Sequence, residues 1–476
     1  MKESNNRWTL RQLKLTCGPV QFLSSLRSLG PRYIALWVGQ TISQFGTYIA
    51  YLTVPLLVFH IQEAAGEENT LDFAIAYALE TAPTLLVGLA GGVLLDRIHL
   101  RPVMIATDLF RACAFFYLAA GVGTYGVGTV FAMAFIVGSM TTLFDAALYA
   151  MIPALVPKER YSDANSFVTA SIMANFAFGP LIAGVLAFSF AGPEVGLFIN
   201  GATFVVSAWT LKYVGRVAHH TDVQAERPSV FVEFVAGMRR IWEEPRLRVS
   251  TISAAVPNFV MGFMEGTFVV LFTVVIGTAN ETEMGILLFS MGIGGLIGAL
   301  VAPNITRIMG LGKTMVSGLS LAGVTLLVFM FSSYGVVAML LLAAFMFGVS
   351  VINIPLATIR QIYAGEAMLG RVIAAARAIG WATLPLGALL GGWLGNTEAT
   401  YPWVARFFPL ILLGCALWLF TTVIWTDTYG PEYRKGTHEA PKTPSKKASP
   451  DRVPADTTDE AFSDESASQD DSAVEQ

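Results

Sequence analysis

GGVLLDRIHLR, Gly91 to Arg101, closes one long apolar run and opens another. The run before it, Phe73 to Leu95, holds a single charge, Glu80, and the run after it, Pro102 to Val122, holds only Asp108 and Arg111. A bilayer core about 30 Å thick takes roughly 20 mostly apolar residues of helix. The stretch therefore reads as a tight polar turn joining two membrane-spanning helices. Asp96 ends the first, and Arg97 and Arg101 lead into the second.

The same cut, made at charges and at clusters of Gly, Pro and Asn, divides the rest of the 476 residues. Six spans run Tyr33 to Phe59, Phe73 to Leu95, Pro102 to Val122, Val127 to Ile152, Phe167 to Phe190 and Val195 to Val214. After a polar stretch six more run Ile252 to Gly277, Met284 to Ile308, Thr314 to Phe331, Val336 to Ile359, Val372 to Leu394 and Trp403 to Trp425. The fold class expected is an all-α integral membrane protein with twelve transmembrane helices in two six-helix halves. Composition agrees, at 54% hydrophobic and 13% charged, where a soluble domain has about 45 to 50% and 25%. The net charge of −4 comes mostly from one polar tail, and no basic stripe suggests nucleic acid.

Short cytoplasmic loops retain Lys and Arg during insertion, so charge tests the span count. With both termini inside, the external loops hold Glu63, Glu67, Glu68, Asp72, Glu194, Glu281, Glu283 and Glu398 and neither Lys nor Arg. The inner loops hold Arg97, Arg101, Lys158, Arg160, Lys212, Arg216, Arg307, Lys313, Arg360 and Arg371, and only Arg406 strays. An odd count would scramble this partition. The expected organisation is a cytoplasmic arm (1–32), a first half (33–214), a linker (215–251), a second half (252–427) and a disordered tail (428–476). Within the linker, Ser229 to Trp242 has apolar residues at helical spacing and reads as an amphipathic helix under the membrane. The basic amino terminus lacks the apolar core and cleavage pattern of a signal peptide, which leaves insertion to the first span. Cys17, Cys113 and Cys415 show no disulfide or zinc spacing, and no cofactor or metal is expected.

The halves align weakly at an offset of about 205 residues, an arrangement common in transporters. Glu159 through Asn175 to Leu181 parallels Glu366 through Arg371 to Leu386, each opening a helix after a short inner loop.

The turn from Gly91 to Arg101 resembles the loop signature of the major facilitator superfamily. Gly92, Asp96, Arg97 and Arg101 match the signature, and His99 stands where a second Gly belongs. The resemblance implies that Asp96, an anion at a helix carboxyl end where the dipole disfavours it, latches onto a helix start across the interface between halves. Arg97 and Arg101 would meet anionic headgroups; a merely topogenic basic loop is the alternative. IATDLFRA (Ile105 to Ala112), Phe144 to Ser166 and GEAMLGRVIAAARAI (Gly365 to Ile379) resemble the macrolide-efflux and siderophore-exporter branch of this superfamily. FGPLIAG, with Gly179, Pro180 and Gly184, resembles the end of the antiporter signature of the fifth helix, although Asn175 stands where its upstream glycines would be.

An isolated charge at mid-membrane costs roughly 2.5 to 3.5 kcal/mol, so each one is a functional candidate. Glu265, deep in the seventh span, and Glu80, deep in the second, are the candidate proton carriers; a neutral acid hydrogen-bonded between helices is the other reading of each. Asp108, Arg111 and Asp145 read as a charge network that satisfies itself, alone or with Arg101, and acts with Arg371 in gating. Gln40, Gln44, Asn258, Met261 and Asn353 fall on helices that line the central cavity in the superfamily and stand as substrate contacts, or, for the amides, as packing contacts. RIMGLGKT (Arg307 to Thr314) ends like a phosphate loop but lacks its first Gly and a preceding strand. Gly294 and Gly298, four apart, read as close helix packing.

The function expected is export of a drug-like or macrolide-like amphipathic molecule across a bacterial plasma membrane by proton antiport. A dedicated siderophore or metabolite exporter is the alternative within transporters. From another class, a non-transporting receptor or scaffold would share the fold, and Glu80 and Glu265 argue against it. No enzymatic constellation is seen.

Overall fold

Hydrocarbon offers no partner for a backbone N–H or C=O, so a spanning chain closes its hydrogen bonds within each segment and becomes helical. The computed structural model describes residues 26–66, 69–84, 99–121, 124–157, 160–190, 193–215, 230–278, 280–365, 368–396, 401–422 and 424–425. Eleven helices among these residues are long and apolar enough to cross a membrane. The second span is the exception: it is described as Thr70–Thr81, and its continuation lies in 85–98, outside the described residues. Asp96, Arg97, the arm up to residue 25 and the tail from residue 426 also lie outside them.

In the first half the spans are Pro31–Ala65, Thr70–Thr81, Leu100–Ala120, Val127–Leu155, Tyr161–Phe190 and Glu194–Val214. Val230–Glu243 is the linker helix, one residue from the limits read in the sequence at each end. The seventh span begins at Pro245, seven residues before the apolar run, because Glu244 caps it and Pro245 fits the first turn. The eighth starts at Glu281 for the same reason, the Asn280 side chain accepting from Thr282 and Glu283 N–H. Such polar first turns escape a cut made by hydropathy alone.

Three spans expected to be continuous are broken. The seventh is α-helical to Gly266, breaks at Thr267, resumes over Phe268–Val270 and ends as a π-helix, Leu271–Ile276. The tenth divides at Ile352 into Val336–Val351 and Asn353–Tyr363. The twelfth divides before Pro409 into Tyr401–Phe407 and Leu410–Phe420, with Pro409 at the cap where no N–H is needed. Glu265 and Asn353 thus each sit beside a break, the position at which transporters form sites.

The first span packs on the fifth and sixth, the third on the fourth and sixth, and the second on the fourth. Adding six to each number gives the packing of the second half: seventh on eleventh and twelfth, ninth on tenth and twelfth, eighth on tenth. The halves meet where the second span crosses the eleventh and the fifth crosses the eighth, a pair of seams that the same operation exchanges. Small residues let these backbones approach. Gly392 and Gly395 face Thr70, Leu71 and Ala74, and Gly184 and Gly285 face one another's helices. Gly294 and Gly298 pack on Ala343 and Phe347 of the tenth span, as their spacing in the sequence implied.

A Cβ on Gly285 would stand 2.7 Å from the Pro180 carbonyl oxygen. Gly285→Val is expected to destabilise the fold by about 1 to 3 kcal/mol through overpacking, read as a lower melting temperature in detergent.

Candidate functional site

The loops divide the bundle into a basic end, marked by Arg101, Lys212, Arg307 and Arg360, and an acidic end, marked by Asp72, Glu194 and Glu281. The described seams close the acidic end. Asn396 donates from Nδ2 to Asn69 Oδ1 at 2.8 Å and accepts from Thr70 N–H at 2.7 Å.

Glu265, on the seventh span, faces residues of the first and eighth spans. It lines a small cavity with Met261, Met264 and Phe268 of its own span, Tyr51 of the first span and Met291 of the eighth. Both halves therefore form its walls. The surface is aromatic and thioether-rich, soft and adaptable toward lipophilic or cationic groups. Among the described residues Glu265 makes no hydrogen bond and no ion pair. Glu80 is exposed near the end of the described part of the second span. Its backbone lies so close to Gly138 of the fourth span that a Cβ there would overlap it. It too makes no described hydrogen bond or ion pair, and Tyr77 is its electrostatic neighbour.

Toward the basic end, Arg111 donates to Asp108 Oδ1 at 2.5 Å, one turn apart on the third span. Asp108 is 0% exposed and Arg111 3%. The guanidinium lies 4.5 Å from the Phe144 ring centroid and 4.2 Å from that of Phe204, so two aromatic faces compensate for the lost water. Asp108 Oδ2 and Arg111 Nε have no partner among the described residues. Asp145 stands between the fields of Arg111 in its own half and Arg377 in the other, beside Tyr48 and Tyr149. Of the network expected of Asp108, Arg111 and Asp145, the pair of Asp108 and Arg111 is formed; Asp145 makes no ion pair among the described residues and feels Arg111 and Arg377 only at longer range.

Arg377 escaped the sequence reading. The signal was available: a second arginine, six residues further into the eleventh span than Arg371, is an intramembrane charge by the same rule that selected Glu265. Its guanidinium lies 5.8 Å from the Trp381 ring centroid.

Other candidates are placed differently from expectation. Arg101 does not join the Asp108 network; it donates to the Leu211 and Lys212 carbonyl oxygens at 2.9 and 3.2 Å and caps the sixth span, whose last carbonyls lack intrahelical donors. Arg371 donates to Glu233 of the linker helix at 3.1 Å. Gln40 is 4% exposed, which takes it out of the cavity lining. Gln44 is half-buried, and its Oε1, like that of Gln40, has no partner among the described residues. Asn258 donates to the Gly380 carbonyl at 3.0 Å and is a packing contact between the seventh and eleventh spans. Asn353 is exposed beside the break in the tenth span. Gly179 abuts Tyr48, while Pro180 and Gly184 abut the eighth span, so FGPLIAG forms one of the two seams.

Residues 36–384 match the family model of the Major Facilitator Superfamily. The chain is 27% identical over 403 residues to the multidrug efflux pump Tap of Mycolicibacterium fortuitum, covering 81% of this chain and 94% of that one. It is 25% identical over 209 residues to macrolide efflux protein A of Streptococcus pyogenes, covering 44% of this chain and 50% of that protein. Among solved structures it resembles the nucleoside transporter NupG, with TM-score 0.61, 12% identity and coverage of 81% of this chain and 98% of that one. It also resembles a bacterial homologue of the iron transporter ferroportin in an inward-facing state, with TM-score 0.61, 18% identity and coverage of 82% and 98%.

Proposed function

Because the chain belongs to the Major Facilitator Superfamily, we propose that it is a secondary active exporter of amphipathic small molecules, driven by proton influx and working by alternating access between its halves. A membrane transporter of this family is not an enzyme. The observation that carries the finer reading is Glu265: a carboxyl without a described partner, in a Met- and aromatic-lined cavity, with walls from both halves.

The basic end is the cytoplasmic side of a plasma membrane, and both termini lie there. A lipophilic cation entering from that side meets the Glu265 carboxylate, which has no competing partner among the described residues. A proton arriving from outside neutralises the same group and displaces the cation. One acid serving both ligands in turn couples their movements in opposite directions, which is antiport. Glu80 is the second acid able to hold a proton. Asp145 and Arg377 form the cytoplasmic gate: drawn together when that side closes, they exchange water for each other. Asp96 and Arg97, at the turn after the second span, belong to the latch.

The test is a proteoliposome assay with an imposed pH gradient and a panel of dyes, macrolides and siderophores. Substrate-dependent proton movement is expected for amphipathic cations. Movement of substrate with no pH response, or no movement of any panel member, would overturn the reading.

Alternating access also requires the acidic end to open. A Cβ at Gly395 would stand 2.9 Å from Thr70 Cβ, nearer than the spacing of about 3.5 to 4.5 Å that a disulfide bridges, so the two helices must part by roughly half an ångström to one ångström for a bridge to form there. Thr70→Cys with Gly395→Cys is expected to stop transport on oxidation and to recover it on reduction. Undiminished transport by the oxidised protein would show that this seam does not part.

A further inference from the structure

The transport reading uses the face of the seventh span that carries Met261 and Glu265. Successive residues of a helix are turned by about 100°, and the other faces of this span are assigned by contact. Asn258 and Gly262 meet the eleventh span. Phe263 stacks on Phe408 of the twelfth, ring centroids 3.8 Å apart. Ile252, Val256 and Phe259, spaced i, i+4 and i+7, lie on the remaining face, opposite Met261 and beside the eleventh span. There they line a cavity of about 260 Å³, walled on the other side by Ile379 and closed at the basic end by Trp242 and Arg248.

Its dimensions and charge identify what fits. From Arg248 to Phe259 the face rises about 16 Å at 1.5 Å per residue, and half of a 30 Å hydrocarbon core is about 15 Å. The cavity thus follows one leaflet from its surface to the midplane. Trp242 is 53% exposed at the level of the interface, where indole rings concentrate. The neighbouring arginines are engaged: Arg239 with Glu243, Arg240 with the Tyr363 and Ala364 carbonyls, Arg371 with Glu233. Arg248 is different. Among the described residues its side chain makes one hydrogen bond, to the Trp242 carbonyl at 3.5 Å, and no ion pair. Its remaining donors match the oxygens of a phosphate.

We propose that this cavity binds one anionic phospholipid, its acyl chain along Ile252, Val256 and Phe259 and its phosphate on Arg248. Assigning that lipid to the cytoplasmic leaflet rests on the orientation given under the proposed function; the binding does not. Because Ile241 and Trp242 wall the cavity, the lipid ties the end of the linker helix to the second half.

The test uses the full chain in mild detergent, stripped of lipid and titrated with phosphatidylglycerol or phosphatidylcholine, with adducts counted by native mass spectrometry. The wild type is expected to hold one phosphatidylglycerol and to bind phosphatidylcholine about tenfold less well. Val256→Trp, which fills the cavity, is expected to lose that adduct, and Arg248→Gln to lose the headgroup preference. A full adduct on Val256→Trp, an unchanged preference on Arg248→Gln, or displacement of the lipid by a transported dye would each overturn the proposal. If Val256→Trp aggregates, Arg248→Gln decides alone. Binding is read without transport, so failure of the export reading leaves this result standing.

Discussion

Glu265→Gln is expected to lower substrate-driven proton movement in inverted vesicles by more than tenfold while insertion and melting temperature stay unchanged. The side chain makes no hydrogen bond or ion pair among the described residues, so the amide removes no stabilising contact. It removes only the ability to alternate between charged and neutral, which one-site antiport requires. Affinity for a cationic dye should fall with it, since the cavity loses the carboxylate of its lining. Unchanged coupling in this variant would exclude Glu265 from the mechanism, and a matching loss in Glu80→Gln would move the role there. A residue that merely supported the fold would show the opposite pattern, a lower melting temperature with coupling retained.

Arg111→Ala is expected to produce the largest loss of stability of any single change considered. It would leave the Asp108 carboxyl 0% exposed and without its cation. Breaking one side of a buried pair costs about 3 to 5 kcal/mol, whereas replacing both sides by apolar groups of similar volume is often close to neutral. The combined change Asp108→Leu with Arg111→Met should therefore melt well above Arg111→Ala in the same detergent. The Phe144 and Phe204 rings that enclose the guanidinium would accept the Met side chain. If the double variant were no more stable than the single one, the pair would be providing something other than mutual neutralisation, and its membership of the gate would become the stronger account.

The span count was legible because lipid imposes two rules that act on sequence alone: apolar length, and the segregation of Lys and Arg into alternate loops. The two rules agree at Gly91 to Arg101, even though most of that turn lies outside the described residues. What hydropathy could not report was geometry within a span. Thr267 and Ile352 interrupt helices without a proline at either position; the signals stand beside them, Gly266 before the first break and Pro355, which cannot donate to the Val351 carbonyl, after the second, and hydropathy passes over both. Charge type was legible and charge partner was not. Arg101 and Arg371 share a composition with any headgroup-facing arginine, yet each bonds within the protein, one to the end of the sixth span and one to the linker helix. Gln40 failed for a related reason. Its position on the first span was right, but a few tens of degrees of helix rotation decide between cavity and packing, and the uniformly apolar span carries too weak a pattern to fix that rotation.

The bond between Glu233 and Arg371, with Arg240 on the Tyr363 and Ala364 carbonyls, makes the linker helix cargo of the second half. By length alone the residues from Val214 to Val230 can reach about 50 Å, enough to join two halves that rock against one another. A gene divided within that stretch should yield two polypeptides that reassemble in the membrane, whereas division after Glu243 would strand Arg371 and the exposed helix end and should yield a second fragment that is degraded.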